Sequence, residues 1–240
     1  MGDALKLRRL LREGRSVVSG SAALASGGLD SAALIAHLAG SGPVHPVYVR
    51  AGLPWEDQEL GALKAFCSAL STAGRPVRRV VELSVGGAEL HGDHWSMSGS
   101  APGYDEPDET VYLPGRNVIL IGLAAIWCAS RGIEKIALGT LAGNPFADAT
   151  EEFFGDYARL LSAALGKRIT VAVPFRHLGK AEIVRRYAHL PLDLTLTCMA
   201  PRGGLHCDAC NKCRERREAF AEAGVADGAA YAASPGREVA

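Results

Sequence analysis

The stretch Ser26-Gly27-Gly28-Leu29-Asp30-Ser31 constrains what this chain can fold into more than any other part of it. A small-apolar run, Ala22-Ala23-Leu24-Ala25, leads into it and reads as a short buried strand. Residues 32–38, Ala-Ala-Leu-Ile-Ala-His-Leu, follow with helical character and stop at Gly40. Strand, glycine pair and helix in that order aim backbone N–H groups at an anion. Glycine lets the backbone approach phosphate oxygens with no Cβ in the way. The helix start adds unpaired N–H groups and the positive end of its dipole. Ser26 and Ser31 can add hydroxyl donors. An ordinary strand–helix turn needs one glycine; it does not need two serines, two adjacent glycines and an aspartate. No G-x-x-x-x-G-K-[ST] string occurs, so no Walker-type lysine reaches a γ-phosphate.

The string resembles the PP-loop of ATP pyrophosphatases, which cleave ATP between the α- and β-phosphates. On that reading Ser26, Gly27, Gly28, Leu29, Asp30 and Ser31 hold ATP. Further strands are expected at residues 46–50, 77–83, 135–140 and 169–173. Helical patterns occupy residues 56–70, 118–130 and 151–165, and another begins at His177. Strands alternating with helices at this spacing predict an α/β fold, a mostly parallel sheet with helices on both faces. Nucleotides sit beyond the carboxyl ends of strands in such sheets. Tyr48, Arg50 and Gly139 are therefore candidates for the ATP site, with structurally neutral roles equally open for Tyr48 and Arg50.

Arg116 and Asn117 open the apolar helix at 118–130. Arg116 is always charged and forked, which suits phosphate; capping the helix explains Asn117 nearly as well. Lys180 can reach a phosphate from the start of its helix. Asn144 and Asp148 lie in a small-residue loop suited to face a ligand. Residues 84–112 break the pattern, and long irregular segments in compact domains are usually functional or disordered. His91 and His94 in that segment read as substrate-side or structural residues rather than metal ligands.

Formal net charge is zero, which gives no nucleic-acid footprint. There is no long apolar run to span a membrane. The basic amphipathic stretch at residues 5–12 lacks the apolar core of a signal peptide and reads as a capping or surface helix. A cytoplasmic setting follows. We divide the chain into an N-terminal extension (1–21), a PP-loop domain (22–224) containing a metal-binding segment (198–213), and a C-terminal tail (225–240). Two of the six cysteines, Cys67 and Cys128, stand alone in helical segments. The others, Cys198, Cys207, Cys210 and Cys213, crowd one loop. Four thiolates in tetrahedral reach suit a structural Zn²⁺. A 4Fe–4S cluster also takes four, but the bacterial ferredoxin spacing is absent. Disulfides are disfavoured in a reducing compartment. His206 reads as a neighbour of the metal ligands.

The PP-loop, Pro114-Gly115-Arg116-Asn117, the run Leu178-Gly179-Lys180-Ala181-Glu182-Ile183-Val184 and the four-cysteine block occur in one order. Together they resemble the QueC family of 7-cyano-7-deazaguanine synthases, from about Ala22 to Gly224. The resemblance implies a Rossmann-like adenine nucleotide alpha hydrolase fold, commonly dimeric, with zinc near the active site. It implies an ATP-dependent ligase that converts 7-carboxy-7-deazaguanine and ammonia to the 7-cyano base, releasing AMP and pyrophosphate. Asp30, Arg116 and Lys180 become the catalytic candidates, with Asp30 a ligand to Mg²⁺. Asn144 and Asp148 become the substrate-binding ones.

Three segments depart from the family pattern. Residues 49–56, Val-Arg-Ala-Gly-Leu-Pro-Trp-Glu, stand where the family has Asp-Tyr-Gly-Gln. Phe146-Ala147-Asp148-Ala149-Thr150 replaces Tyr-Pro-Asp-Cys-Arg, and Leu196-Thr197-Cys198-Met199 replaces Trp-Ser-Cys-Tyr. Rival readings are an enzyme that stops at the amide or conjugates another amine, a tRNA thiolase, and a nucleotide-binding protein without turnover.

Overall fold

The computed structural model describes residues 20–232. The basic stretch at 5–12 and the end of the tail lie outside them. Five strands form one sheet: β1 (Ser21–Leu24), β2 (Val44–Arg50), β3 (Val81–Ser84), β4 (Lys135–Ala137) and β5 (Thr170–Ala172). Their order is β3-β2-β1-β4-β5, and every neighbouring pair is parallel. The eight α-helices of the described residues are α1 (Leu29–Ala39), α2 (Glu56–Thr72), α3 (Gly87–His91), α4 (Trp95–Ser98), α5 (Arg116–Ala129), α6 (Glu151–Leu165), α7 (Lys180–Tyr187) and α8 (Asn211–Ala223).

β1 is the centre of the sheet, and its side chains divide between two cores. Ala23 and Ala25 face a core built with α1, α2 and α7, where Leu34, Leu63, Phe66 and Ile183 are buried. Ala22 and Leu24 face the opposite core, with Ile121, Ala125 and Phe154 from α5 and α6. Burial on both faces is why β1 reads as an unbroken small-apolar run. The α/β reading with helices on both faces holds.

Local differences have local causes. The strand expected at 77–83 splits into a lone bridge, Val77 to Val44, and β3, which begins at Val81 opposite Val47. Pro46, with no N–H to give, falls in the gap. The helix expected from His177 starts at Lys180 instead. There the Glu182 carboxylate accepts from the Gly179 N–H at 2.8 Å, which fixes the first turn. The irregular segment 84–112 holds two short helices, and His94 caps the second by accepting from the Ser96 N–H. His94 is thereby a structural residue.

Residues 225–232 pack onto the cysteine loop. His206 donates its N–H to Ala230, and Ala232 donates back to His206. No described helix is long and apolar enough to cross a membrane.

Candidate active site

The sheet order places a switch point at β1. The chain leaves toward β2 and β3 on one side, while β4 and β5 lie on the other. Ligands bind α/β sheets in the crevice outside the strand ends at such a point. A cleft of about 440 Å³ lies there, lined by Ser26, Gly28, Asp30, Ser31 and Gly139. That volume is within the range of small-molecule sites.

Two glycines shape the cradle differently. Gly27 has φ +89°, and a Cβ on it would meet the Glu59 carbonyl oxygen at 2.4 Å. Only glycine lets the loop rest on α2 there. Gly28 is the N-cap of α1 and brings no side chain to cap it. The first-turn residues Leu29, Asp30 and Ser31 line the cleft without that cap. The serine hydroxyls brace the loop: Ser26 N–H donates to Ser31 Oγ at 3.0 Å, and the two Oγ atoms lie 3.2 Å apart. Behind Asp30, Gly139, just past β4, packs closely on the loop: a Cβ there would come 3.0 Å from the Asp30 carbonyl oxygen, tighter than an ordinary contact.

A buried ion network forms one wall. Lys180 lies 3.3 Å from Asp30 Oδ2 and 2.6 Å from Glu215 Oε1, and Lys212 reaches Glu215 Oε2 at 2.9 Å. Burial opposes the Lys180 charge, but the two carboxylates raise its ammonium above the usual range. Burial would raise Glu215, yet Lys180 and Lys212 hold its carboxyl down at about 2. For Asp30, burial outweighs Lys180 and the carboxyl is raised. Asp30 Oδ1 is buried with no hydrogen-bond partner. Such an atom fits a hard divalent cation, which takes oxygen ligands. Glu215 escaped sequence reasoning because it sits among six charged residues of α8, where a helix pattern shows a solvated face.

Arg116 lines the cleft from the first position of α5. Asn117 is not the cap of that helix, since Gly115 occupies the cap position. Asp148 does the capping: Asn117 N–H donates to its Oδ2 at 3.0 Å, and Asn117 Nδ2 donates to its carbonyl at 2.9 Å. Asp148 and Asn144 both line the cleft. The Asn144 side chain accepts from the Phe146 N–H within its own turn. Arg50 faces away, paired with Asp57 at 2.9 Å and Glu82 at 3.5 Å, and ties β2 to β3. Tyr48 is buried, and its hydroxyl donates to Glu59 Oε2 at 2.8 Å. Two aromatic pairs complete the lining, Trp55 stacked on Trp95 and Tyr112 beside Phe146.

The four sulfurs of Cys198, Cys207, Cys210 and Cys213 lie within 4.8 Å of one another, all buried. Cys210 caps α8, and Asp208 takes a left-handed φ of 57° to turn the knuckle. Backbone N–H groups of Ala200 and Cys207 donate to the Cys198 sulfur. The donor set fits a thiophilic metal and does not fit a hard, oxygen-seeking one. Behind the loop, Arg216 is fully buried. It grips Asp227 through two 2.8 Å contacts and donates to Thr195 Oγ1 at 2.7 Å. The loop in turn supports the cradle, because Leu196 N–H donates to the Gly27 carbonyl at 3.0 Å.

Fold and site together define a PP-loop α/β protein, with a glycine cradle at the switch point of a parallel sheet and a four-cysteine loop beneath it. The family model for the queuosine biosynthesis protein QueC matches residues 21–224. The chain belongs to the QueC family. Its curated relatives include the 7-cyano-7-deazaguanine synthase of Stenotrophomonas maltophilia, 33% identical over 220 residues, which cover 87% of this chain and 97% of that protein. The same-named protein of Thiobacillus denitrificans is 31% identical over 222 residues, covering 87% and 96%. Among solved structures, the U34-tRNA thiolase NcsA of Methanococcus maripaludis gives a TM-score of 0.41 at 12% identity, over 90% of this chain and 70% of that one. A likeness that loose bears on neither substrate nor metal.

Proposed function

We propose that this chain is an ATP-dependent ligase that activates the carboxylate of 7-carboxy-7-deazaguanine and joins it to ammonia, ending at the 7-cyano base. The observation that carries the reading is the cleft itself. One cavity holds an uncapped helix start on a glycine turn, the cations Arg116 and Lys180, and stacked aromatic walls. The first two suit phosphates and the last suits a flat heterocycle.

The chain's own residues divide the work. The backbone from Gly28 to Ser31 receives phosphate oxygens, and Arg116 and Lys180 hold charge that develops as pyrophosphate leaves. The carboxylate of the base then attacks the α-phosphorus, and AMP becomes its leaving group. Ammonia displaces AMP to give the amide, and a second ATP activates the amide oxygen, which leaves with AMP as the nitrogen gives up its protons and the nitrile forms. Mg²⁺, held by Asp30, neutralises phosphate charge when bound. Zn²⁺ on the four thiolates supplies folding energy to the loop under the cradle. We take the working unit to be a cytoplasmic homodimer acting on small molecules, with no stable nucleic-acid partner.

The test is product analysis. Protein, ATP, ¹⁵N-ammonium and the deazapurine carboxylate should yield a ¹⁵N-labelled nitrile by mass spectrometry. Labelled amide alone would confine the activity to its first half. No labelled base would overturn the reading.

A further inference from the structure

We propose that Glu59 is the general base for the incoming amine, taking a proton from ammonium as its nitrogen attacks the activated carboxylate. This rests on the ligase reading above and assigns it a residue that no sequence motif marked.

Glu59 is held in place from three sides. Its backbone lies against the phosphate loop, because Gly27 packs on its carbonyl with no space for a Cβ. Its N–H donates to Trp55 one turn earlier, so the two side chains share a face of α2. Its Oε2 accepts from the buried Tyr48 hydroxyl at 2.8 Å. Both Glu59 and Tyr48 line the cleft. Among the described residues Oε1 accepts no hydrogen bond, so it is the oxygen that can receive a proton. Trp55, with Trp95 stacked on it, lines the same cleft as Glu59 and sets a π face there. A small cation is attracted to such a face.

The charged and titratable groups around it are Tyr48 from β2, Arg116 from the start of α5 and Glu56 from its own helix. Burial raises the Glu59 carboxyl, Arg116 and Tyr48 lower it, Glu56 raises it, and the balance is about 7. A base serves best when its pKa lies near the working pH. Near neutral pH ammonium has no lone pair to attack with, so it must lose a proton. Glu59 takes that proton, and the freed nitrogen pair forms the C–N bond. The C–O bond to phosphate breaks with its electrons going to AMP. The second nitrogen proton passes to solvent, leaving the neutral amide.

The experiment compares two nucleophiles. Hydroxylamine is neutral at the assay pH and needs no base, whereas ammonium does. Wild type and Glu59→Gln are assayed for amide and for hydroxamate, with ATP binding measured by calorimetry to confirm the fold. We expect E59Q to bind ATP as wild type does and to form hydroxamate at a similar rate. Its amide formation at pH 7 should drop by about 10²-fold or more. It should recover as pH rises toward the ammonium pKa, where free ammonia supplies itself. Glu59→Asp should retain part of the pH 7 rate. Amide formation within about threefold of wild type, or equal loss with both nucleophiles, would overturn the assignment. Loss of ATP binding by E59Q would also overturn it, by making the residue structural. Absence of both amide and hydroxamate from wild type would overturn the ligase reading and this proposal with it.

Discussion

Gly27 and Gly28 are neighbours with opposite tolerances. Gly27 combines φ +89° with a 2.4 Å approach to the Glu59 carbonyl, whereas the nearest atom to a Cβ on Gly28 is 3.6 Å away. Gly27→Ala should therefore cost more than about 2 kcal/mol in urea denaturation. Gly28→Ala should fold normally yet bind ATP less well, since its methyl enters the cradle. Lys180 carries a comparable burden. Removing it as Lys180→Met leaves Asp30 without its paired cation and Glu215 with Lys212 alone, at a cost of about 3 kcal/mol. AMP release should fall with it, and denaturation and nucleotide assays on one preparation read both. At this scale the sequence was legible where residue types were unusual, as in the paired glycines. It misled where a common residue takes an uncommon partner. Asn117 looked like a cap because asparagine favours that position, but Gly115 and the distant Asp148 share the task. Glu59 carries no sequence signal of its own, because its environment comes from Tyr48 and Arg116, far away in sequence.

The cysteine loop is the element on which the cradle leans. Leu196, two residues before the first ligand, donates to the Gly27 carbonyl, and Arg216 locks the preceding turn through Thr195 and Leu192. Stripping the metal, or Cys213→Ser, should loosen that support. We expect ATP affinity to weaken about five- to tenfold, the weight of one hydrogen bond, in calorimetry before and after chelation. Unchanged affinity would separate the loop from the cradle. The four cysteines could be read as one site because their spacing alone brings thiols together. The buried Arg216 could not, since nothing in Arg214-Glu215-Arg216-Arg217 distinguishes the clamp from its exposed neighbours. Helix α6 matched its expected bounds, residues 151–165, because its apolar face and the Thr150 cap agree. β4 and β5 came out shorter than their expected runs, at 135–137 and 170–172, whereas β2 extends back to Val44.

For the whole molecule, alternation of strands and helices sufficed to give a parallel sheet, but not its order. Which strand lies beside β1 depends on crossovers that no local pattern records. The cleft inherits its chemistry from that order, because β1 and β4 must be neighbours for Gly139 to close on Asp30. A site built this way strains stability. Glu59 titrates near 7 in the folded protein and near the ordinary carboxyl value when unfolded. Below the unfolded value both states are protonated, so the glutamate carries no penalty. Above about 7 the folded state must ionise a buried acid, so the penalty is complete. Thermal melts should show E59Q matching wild type at pH 4 and exceeding it at pH 8, with the gap opening between. A gap that is constant with pH would remove the basis for a raised carboxyl.

The central claim is that a carboxylate oxygen becomes bonded to the α-phosphorus of ATP in this cleft. Supplying 7-carboxy-7-deazaguanine labelled with ¹⁸O in its carboxylate tests that bond directly. The account predicts AMP carrying one ¹⁸O, read by phosphorus NMR, together with unlabelled pyrophosphate. Unlabelled AMP, or ADP with inorganic phosphate, would contradict it.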